Sequence, residues 1–276
     1  MADISKFLEA RYGNPAADGS GTAGNPTLET LLQHRSVRNF LPQPLPSGTL
    51  EALVAAGQSA ATSSNLQTWS VVSISDPERK AQAAILSGDQ DFIRQAPLFL
   101  VFCADLSRLS RVSQQRGTAG TGLEYTEMFL MASIDAALAA QNVSVAAESL
   151  GLGICYVGAV RNKPRDVAHL LLLPDRVIAL FGLAIGFPDP ASPASVKPRL
   201  GLDEVLHHET WDDDREKQHE NFAKYDDVLA SFNAGQKREG IPAWTDRSAK
   251  RVATVKSLNG RDVWNEVLKE RGFDLK

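Results

Sequence analysis

Three short basic groups carry the strongest chemical signal in this sequence. His34, Arg35 and Arg38 fall together in "HRSVRNF". Arg161, Lys163 and Arg165 follow in "RNKPR", and Lys197 and Arg199 flank a proline in "VKPRL". Taken alone, the first group reads either as a basic turn on a solvated face or as an anion site. The third is more specific. Pro198 stiffens the segment, and a rigid loop that presents a lysine and an arginine suits a phosphate. A phosphate also takes hydroxyl and amide donors, and "ATSSNLQTW" at 61–69 offers several.

Other chemistries find less support. No G-x-G-x-x-G follows a strand, and there is neither a phosphate-binding Walker loop nor a G-x-S-x-G elbow. His34, His169, His207, His208 and His219 lack metal-ligand spacing. The adjacent pair His207–His208 would diverge by about 100° on a helix, which favours a surface role. Cys103 and Cys155 both sit in apolar stretches and read as buried free thiols, fitting a reducing, cytoplasmic compartment. A net charge of -4 argues against a nucleic-acid or anionic-membrane partner. The N-terminus has no charged start followed by an apolar core, so no signal peptide is expected. The apolar stretch 128–153 is long, but Asp135, Gln141, Asn142 and Glu148 interrupt it. Without basic flanks or an aromatic belt it reads as a helix buried in a soluble protein.

The elements that must position these groups follow from periodicity. Residues 1–12 read as a short helix and 13–27, rich in Gly, Pro and Asn, as a flexible linker. "TLETLLQHRS" reads as a helix, as does the segment from Pro44, with Ser47 or Thr49 as its N-cap and Leu50, Leu53 and Val54 facing inward. "SVVSIS" alternates as a strand, Asp76–Leu86 is helical, and "APLFLVFCAD" is a strand buried on both faces. Residues 107–123 read as a loop or mobile helix. The long apolar helix should stop at Gly151 or Gly153. "ICYVGAV" reads as a short strand or loop, "KPRDVAHLLLL" as a helix with proline at its start, and "DRVIALFGLAIGFP" as another buried strand. Residues 203–235 read as a charged helical region, with further helices closing the chain. Few strands separated by helices give a mixed α+β domain with extra C-terminal helices.

An ordered set of segments makes the reading more specific. It comprises "HRSVRNF" at 34–40, "ATSSNLQ" at 61–67, "GDQDFI" at 88–93, "VFCADLSR" at 101–108, "AAQNVSVAAESLGLGICYVGAVRN" at 139–162, "LFGLAIGFP" at 180–188 and "VKPRL" at 196–200. In these the chain resembles the nitroreductase superfamily of FMN enzymes, and within it the oxygen-insensitive NADPH-dependent nitroreductases and NADPH–flavin reductases. The likeness runs from about Leu28 to the C-terminus. It implies a nitroreductase-like α+β fold: a central mixed sheet, surrounding helices and a C-terminal helical extension, in an intertwined homodimer. It divides the chain into a flexible N-terminal extension (1–27), an FMN-binding core (28–190) and a phosphate-contacting loop with C-terminal helices (191–276) belonging to the same domain.

The resemblance also implies roles. His34, Arg35, Lys197 and Arg199 match residues that clasp the FMN phosphate. Ser36 and Arg38 match residues at the ribityl chain and the pyrimidine end of the ring, where a cation favours negative charge on the flavin. Thr62, Ser63 and Gln90 match polar contacts to ring and ribityl. Tyr156, Val157, Gly158 and Ala159 match a backbone segment beside the ring, where small residues allow close approach. Alanine at 159 departs from the two glycines usual in close relatives. Lys237 and Arg238, ahead of Trp244, correspond to basic residues that read the 2′-phosphate of NADPH. The implied activity is an FMN-dependent NADPH oxidoreductase that reduces nitroaromatics, quinones or flavins by ping-pong hydride transfer, with no catalytic side chain and no metal. Two other readings keep the flavin: a dedicated NADPH–FMN reductase that supplies reduced flavin to a partner monooxygenase, and a flavin-binding protein without turnover.

Overall fold

The computed structural model describes residues 4–13 and 24–276; most of the linker expected at 13–27 therefore lies outside the described residues. Along the chain run α1 (Ser5–Tyr12), α2 (Pro26–Leu32), α3 (Thr49–Gln58), β1 (Trp69–Ile74), α4 (Pro77–Leu86), α5 (Asp91–Gln95), β2 (Leu98–Asp105), α6 (Ser107–Gln115), α7 (Thr126–Ser149), β3 (Gly153–Val157), α8 (Pro164–Leu170), β4 (Val177–Gly186), α9 (Arg215–Gly235), α10 (Trp244–Val252) and α11 (Trp264–Glu270). They fall into two compact units. The smaller comprises Met1–Arg35 with Ser195–Leu258, and the larger Ser36–Ala194 with Asn259–Lys276.

The larger unit is built on a four-stranded sheet in the order β1–β2–β4–β3. Every strand pair is antiparallel. The α+β architecture is as expected, and the mixed sheet implied by the resemblance is corrected to an antiparallel one. Among the described residues its parallel component is one isolated bridge, between Ser36 and Ile154. A continuous apolar run reads the same in either direction, so composition does not fix the sense of pairing.

β2 is buried along its whole length, and its alternation explains why. Leu98, Leu100 and Phe102 pack with Leu53 of α3 and with Ala139, Ala140 and Val143 of α7. Phe99, Val101 and Cys103 face the other way, onto Ala83 and Ala84 of α4, Phe92 and Ile93 of α5 and Val167 of α8. Each large side chain so buried contributes roughly 1.5–3 kcal/mol. A third cluster joins Ile178 and Leu180 of β4 to Val267 and Leu268 of α11.

α7 is, among the described residues, the one helix long and apolar enough to cross a membrane. Its buried face is mostly alanine, with Ala132, Ala136, Ala139, Ala140 and Ala147 at helical spacing, so the helix lies close to the sheet. The opposite face presents Leu130, Ile134 and Leu138, each between 43% and 52% exposed. The helix stops at Ser149, and Gly151 follows in the left-handed region at φ 77°.

Two helix starts differ from expectation. Neither Ser47 nor Thr49 caps α3: Gly48 takes the cap position at φ 83°, and Thr49 is already helical. The charged helical region begins only at Arg215, because Asp214 accepts hydrogen bonds from the N–H groups of Glu216 (3.1 Å) and Lys217 (3.0 Å). Short acidic side chains favour that capping role over a helix interior, so "WDDD" precedes the helix instead of joining it. In the smaller unit, α10 packs on this helix through Trp244, whose ring lies 5.5 Å from those of Phe222 and Tyr225.

Candidate functional site

In the smaller unit, two basic segments distant in sequence are drawn together by Arg11. This residue lies in the last turn of α1 and is buried, at 8% exposure. Its guanidinium donates to the carbonyls of Lys197 (2.9 Å), Leu32 (2.8 Å) and His34 (3.0 Å). Its own carbonyl accepts from the Arg199 N–H at 2.8 Å. The Tyr225 hydroxyl of α9 donates to the Pro198 carbonyl at 3.0 Å. Three consecutive residues, 197–199, are thereby held by α1 and α9. Pro198 is buried, and Lys197 and Arg199 on either side of it are exposed, as is Arg35; His34 is half-buried. Burial pushes the Tyr225 phenol up in pKa, with Arg199 and Arg247 opposing that shift. The set His34, Arg35, Lys197 and Arg199 therefore gathers on one frame.

Lys237 and Arg238 lie just beyond α9. Lys237 sits in the left-handed region at φ 53°, and the Arg238 N–H returns to the Asn233 carbonyl at 2.9 Å. Both side chains are exposed. The Ser195 hydroxyl donates to Gln236 Oε1 at 3.0 Å, tying this turn to the segment that leads into Lys197.

In the larger unit, Ser36 and Val37 run beside β3, with the Val37 N–H donating to the Ile154 carbonyl at 2.9 Å. Gly153 permits this approach, since a Cβ there would stand 2.7 Å from Val37 Cγ2. The Arg38 guanidinium consequently lies beside the Cys155 thiol and 6.0 Å from the centroid of the Phe92 ring. Gln90 immediately precedes the helix that carries Phe92, and its Nε2 donates to the Ser87 carbonyl at 2.7 Å. A Cβ at Gly88 would stand 3.9 Å from that of Ala159, so this turn passes the end of β3. Ser36, Arg38, Gln90 and Tyr156–Ala159 are thus brought to one end of the sheet. Tyr156 stands edge-on to Phe181 at 5.6 Å, and its hydroxyl is 3.1 Å from that of Ser144.

Thr62 and Ser63 belong to a loop organised by Asp135 of α7. That carboxylate is 2% exposed and accepts from the Ser63 N–H (3.1 Å), the Thr68 N–H (3.1 Å) and the Thr68 hydroxyl (2.9 Å). Thr62 Oγ1 accepts from the Gln67 N–H at 3.0 Å. Ser64, Asn65 and Gln67 all have positive φ, an unfavourable conformation for side-chain-bearing residues that needs outside support. Arg108 of α6 supplies more, donating to the carbonyls of Gln67 and Trp69.

Sequence reasoning missed both organisers. Asp135 was legible only as a charge interrupting an apolar helix, yet a carboxylate there is costly unless hydrogen-bonded, which is itself the signal. Arg11 lies in the segment assigned to an extension and carried no signal. In the second basic cluster, Arg165 pairs bidentately with Glu270, 2.7 Å at each oxygen, and with Glu266 at 3.0 Å. His207 stacks on Trp211 at 4.2 Å and its Nδ1 accepts from the Asp212 N–H at 3.2 Å.

Burial keeps the two thiols and the Tyr156 phenol neutral. Burial pushes the Cys103 thiol up to about 12, with nearby Asp105 adding to it. Burial also raises Cys155, against the opposing influence of Arg38. Tyr156 is raised by burial too. These three groups stay protonated at neutral pH.

Known proteins resemble this chain over most of its length. Residues 31–187 match the sequence profile described as "Nitroreductase family", and residues 197–276 match "Nitroreductase family, C-terminal domain". The chain is 39% identical over 254 residues to the "FMN reductase (NADPH)" of Bacillus subtilis, covering 91% of this chain and 99% of that one. It is 39% identical over 208 residues to the "Oxygen-insensitive NADPH nitroreductase" of Salmonella typhimurium, covering 75% and 82%. Among solved structures, the NfrA1 nitroreductase from B. subtilis superposes with a TM-score of 0.83 at 38% identity, covering 90% of this chain and 99% of that chain.

Proposed function

The chain belongs to the nitroreductase family, and on that premise we propose that it is an FMN-dependent NADPH oxidoreductase that reduces nitroaromatics, quinones or flavins. The observation that carries this reading is the framing of two remote basic segments by Arg11 and Tyr225. Such a donor set fits a phosphate dianion, which several charge-assisted hydrogen bonds can hold.

The residues present fit FMN. His34, Arg35, Lys197 and Arg199 would hold its phosphate. Ser36, Thr62, Ser63 and Gln90 would supply polar contacts to ribityl and ring, and Tyr156–Ala159 would offer backbone beside the ring. Arg38 would place positive charge at the pyrimidine end. When bound, FMN would supply the two-electron redox chemistry that links NADPH to the acceptor. The chain's own work is to bind and orient, and no side chain is assigned as a general acid or base. Lys237 and Arg238 would meet the 2′-phosphate of NADPH from an exposed turn.

The same reading includes a homodimer and a cytoplasmic location. The exposed stripe Leu130–Ile134–Leu138 on α7 supports the first, because such a row is stabilised when a second subunit covers it. The two buried free thiols, Cys103 and Cys155, support the second. An acceptor panel tests the proposal. Comparable NADPH-driven rates on a nitrofuran, a quinone and free FMN are expected. Turnover with free FMN alone would favour a dedicated flavin reductase, and turnover with none would overturn the assignment.

A further inference from the structure

We propose that Arg11 is a positioning residue for the FMN phosphate, so that the short N-terminal helix α1 is a working part of the cofactor site. The inference rests on the FMN reading above and extends it to a residue outside the segments that carry the family resemblance.

Burying a guanidinium carries a desolvation cost. An arginine at 8% exposure is unfavourable unless hydrogen-bond acceptors surround it. Here the acceptors are backbone carbonyls of Leu32, His34 and Lys197, three peptide groups from two chain segments. A planar fork with donors in fixed directions can hold such acceptors at once, and a lysine ammonium cannot reproduce that geometry. The Arg199 N–H closes the arrangement on the Arg11 carbonyl at 2.8 Å. Arg11 therefore grips the main chain at His34 and at Lys197, and the neighbouring Arg199 through its own backbone.

The seat of α1 is equally defined. The helix ends at Gly13, in the left-handed region at φ 68°, and a Cβ there would stand 2.5 Å from Val228 Cγ1 of α9. The same α9 supplies Tyr225, which holds Pro198. α1 and α9 together fix the backbone from which Lys197 and Arg199 project.

The consequence is preorganisation. Two loops ordered before ligand arrives lose less freedom on binding, which raises affinity without a new contact. The effect should fall chiefly on the phosphate: Thr62, Ser63, Gln90 and Tyr156–Ala159 belong to other elements, and the Ser36–Arg38 segment is tied to β3 through the Val37 N–H and the Ile154 carbonyl. Riboflavin, which has the ring and ribityl chain but no phosphate, is the natural control.

The experiment measures FMN and riboflavin affinities of apoprotein by flavin fluorescence, for wild type, Arg11→Gln and Arg11→Lys, with thermal melts of each. Arg11→Gln is expected to weaken FMN about tenfold or more while riboflavin changes less than about twofold. Arg11→Lys, which keeps the charge but loses the fork, should lose in the same direction; it decides the question on the same readouts if the glutamine variant fails to fold. Equal losses for both ligands would reduce Arg11 to a general structural role and overturn the proposal, as would unchanged FMN affinity. A wild-type protein with no preference for FMN over riboflavin would instead overturn the phosphate assignment beneath it. A preference abolished by Arg199→Ala but untouched in both Arg11 variants would leave that assignment standing and remove only Arg11.

Discussion

Replacing Asp135 by alanine should unfold the loop at 62–68 and cost the protein much of its stability margin. The carboxylate accepts three hydrogen bonds, two from Thr68, which is fully buried, and one from the exposed Ser63. Water can replace the bond to Ser63. The Thr68 N–H and hydroxyl would be left without an acceptor, at about 1–3 kcal/mol each. Some of this returns when Ser64, Asn65 and Gln67 relax from their positive φ values. The net loss is about 3 kcal/mol, which at about 2–4 °C per kcal/mol lowers the melting temperature by roughly 10 °C. Asp135→Asn should lose less, because its amide oxygen still accepts while its NH2 faces donors. Thr62 and Ser63 are assigned to the ring and ribityl side of the ligand, so FMN and riboflavin should weaken together. Urea melts of apoprotein with both flavin titrations test this. A stability loss below about 1 kcal/mol, or a loss confined to FMN, would refute the view that Asp135 holds this loop for the ring.

Arg199→Ala should weaken FMN about tenfold to a hundredfold, the worth of a charge-assisted bond, with activity restored by added FMN; a variant that stays yellow through gel filtration would contradict it. Cys103, pushed up to about 12, and Cys155, also raised, stay as thiols near pH 8, so native protein should resist a thiol reagent that labels both after denaturation. Ile134→Glu on the exposed stripe of α7 should shift light scattering from dimer toward monomer, and an unchanged mass would remove that face from the interface. Arg238→Ala should raise the KM for NADPH several-fold and leave that for NADH nearly unchanged, a preference that also shrinks with salt; equal losses for both would show that Arg238 does not read the 2′-phosphate.

Much of the fold was legible because the strongest patterns are also the buried ones. The unbroken apolar run of β2 announced a strand covered on both faces, and the long apolar stretch of α7 announced a helix packed within the protein. What stayed hidden depends on contacts between distant residues. Strand direction could not be read from apolar runs, and the mixed sheet that the resemblance implied is, among the described residues, antiparallel with a single parallel bridge. The start of α9 turned on one cap, Asp214, in a run of three aspartates. The basic residues near 34 and 197 were visible as types, but their meeting rests on Arg11, whose partners are backbone carbonyls that carry no sequence signature. Asp135 was conspicuous as a misfit in an apolar helix, and its purpose appeared only once Thr68 stood opposite it.

If the proposed function is right, this chain holds FMN and passes electrons from NADPH through it. An anaerobic titration of the purified protein with NADPH, followed at the visible flavin band, tests that claim most directly. The account predicts one FMN per chain, bleaching complete at one NADPH per flavin, and return of the colour when a quinone or nitroaromatic is added. A protein that stays colourless when FMN is supplied, or a flavin band that NADPH leaves unchanged, would contradict it.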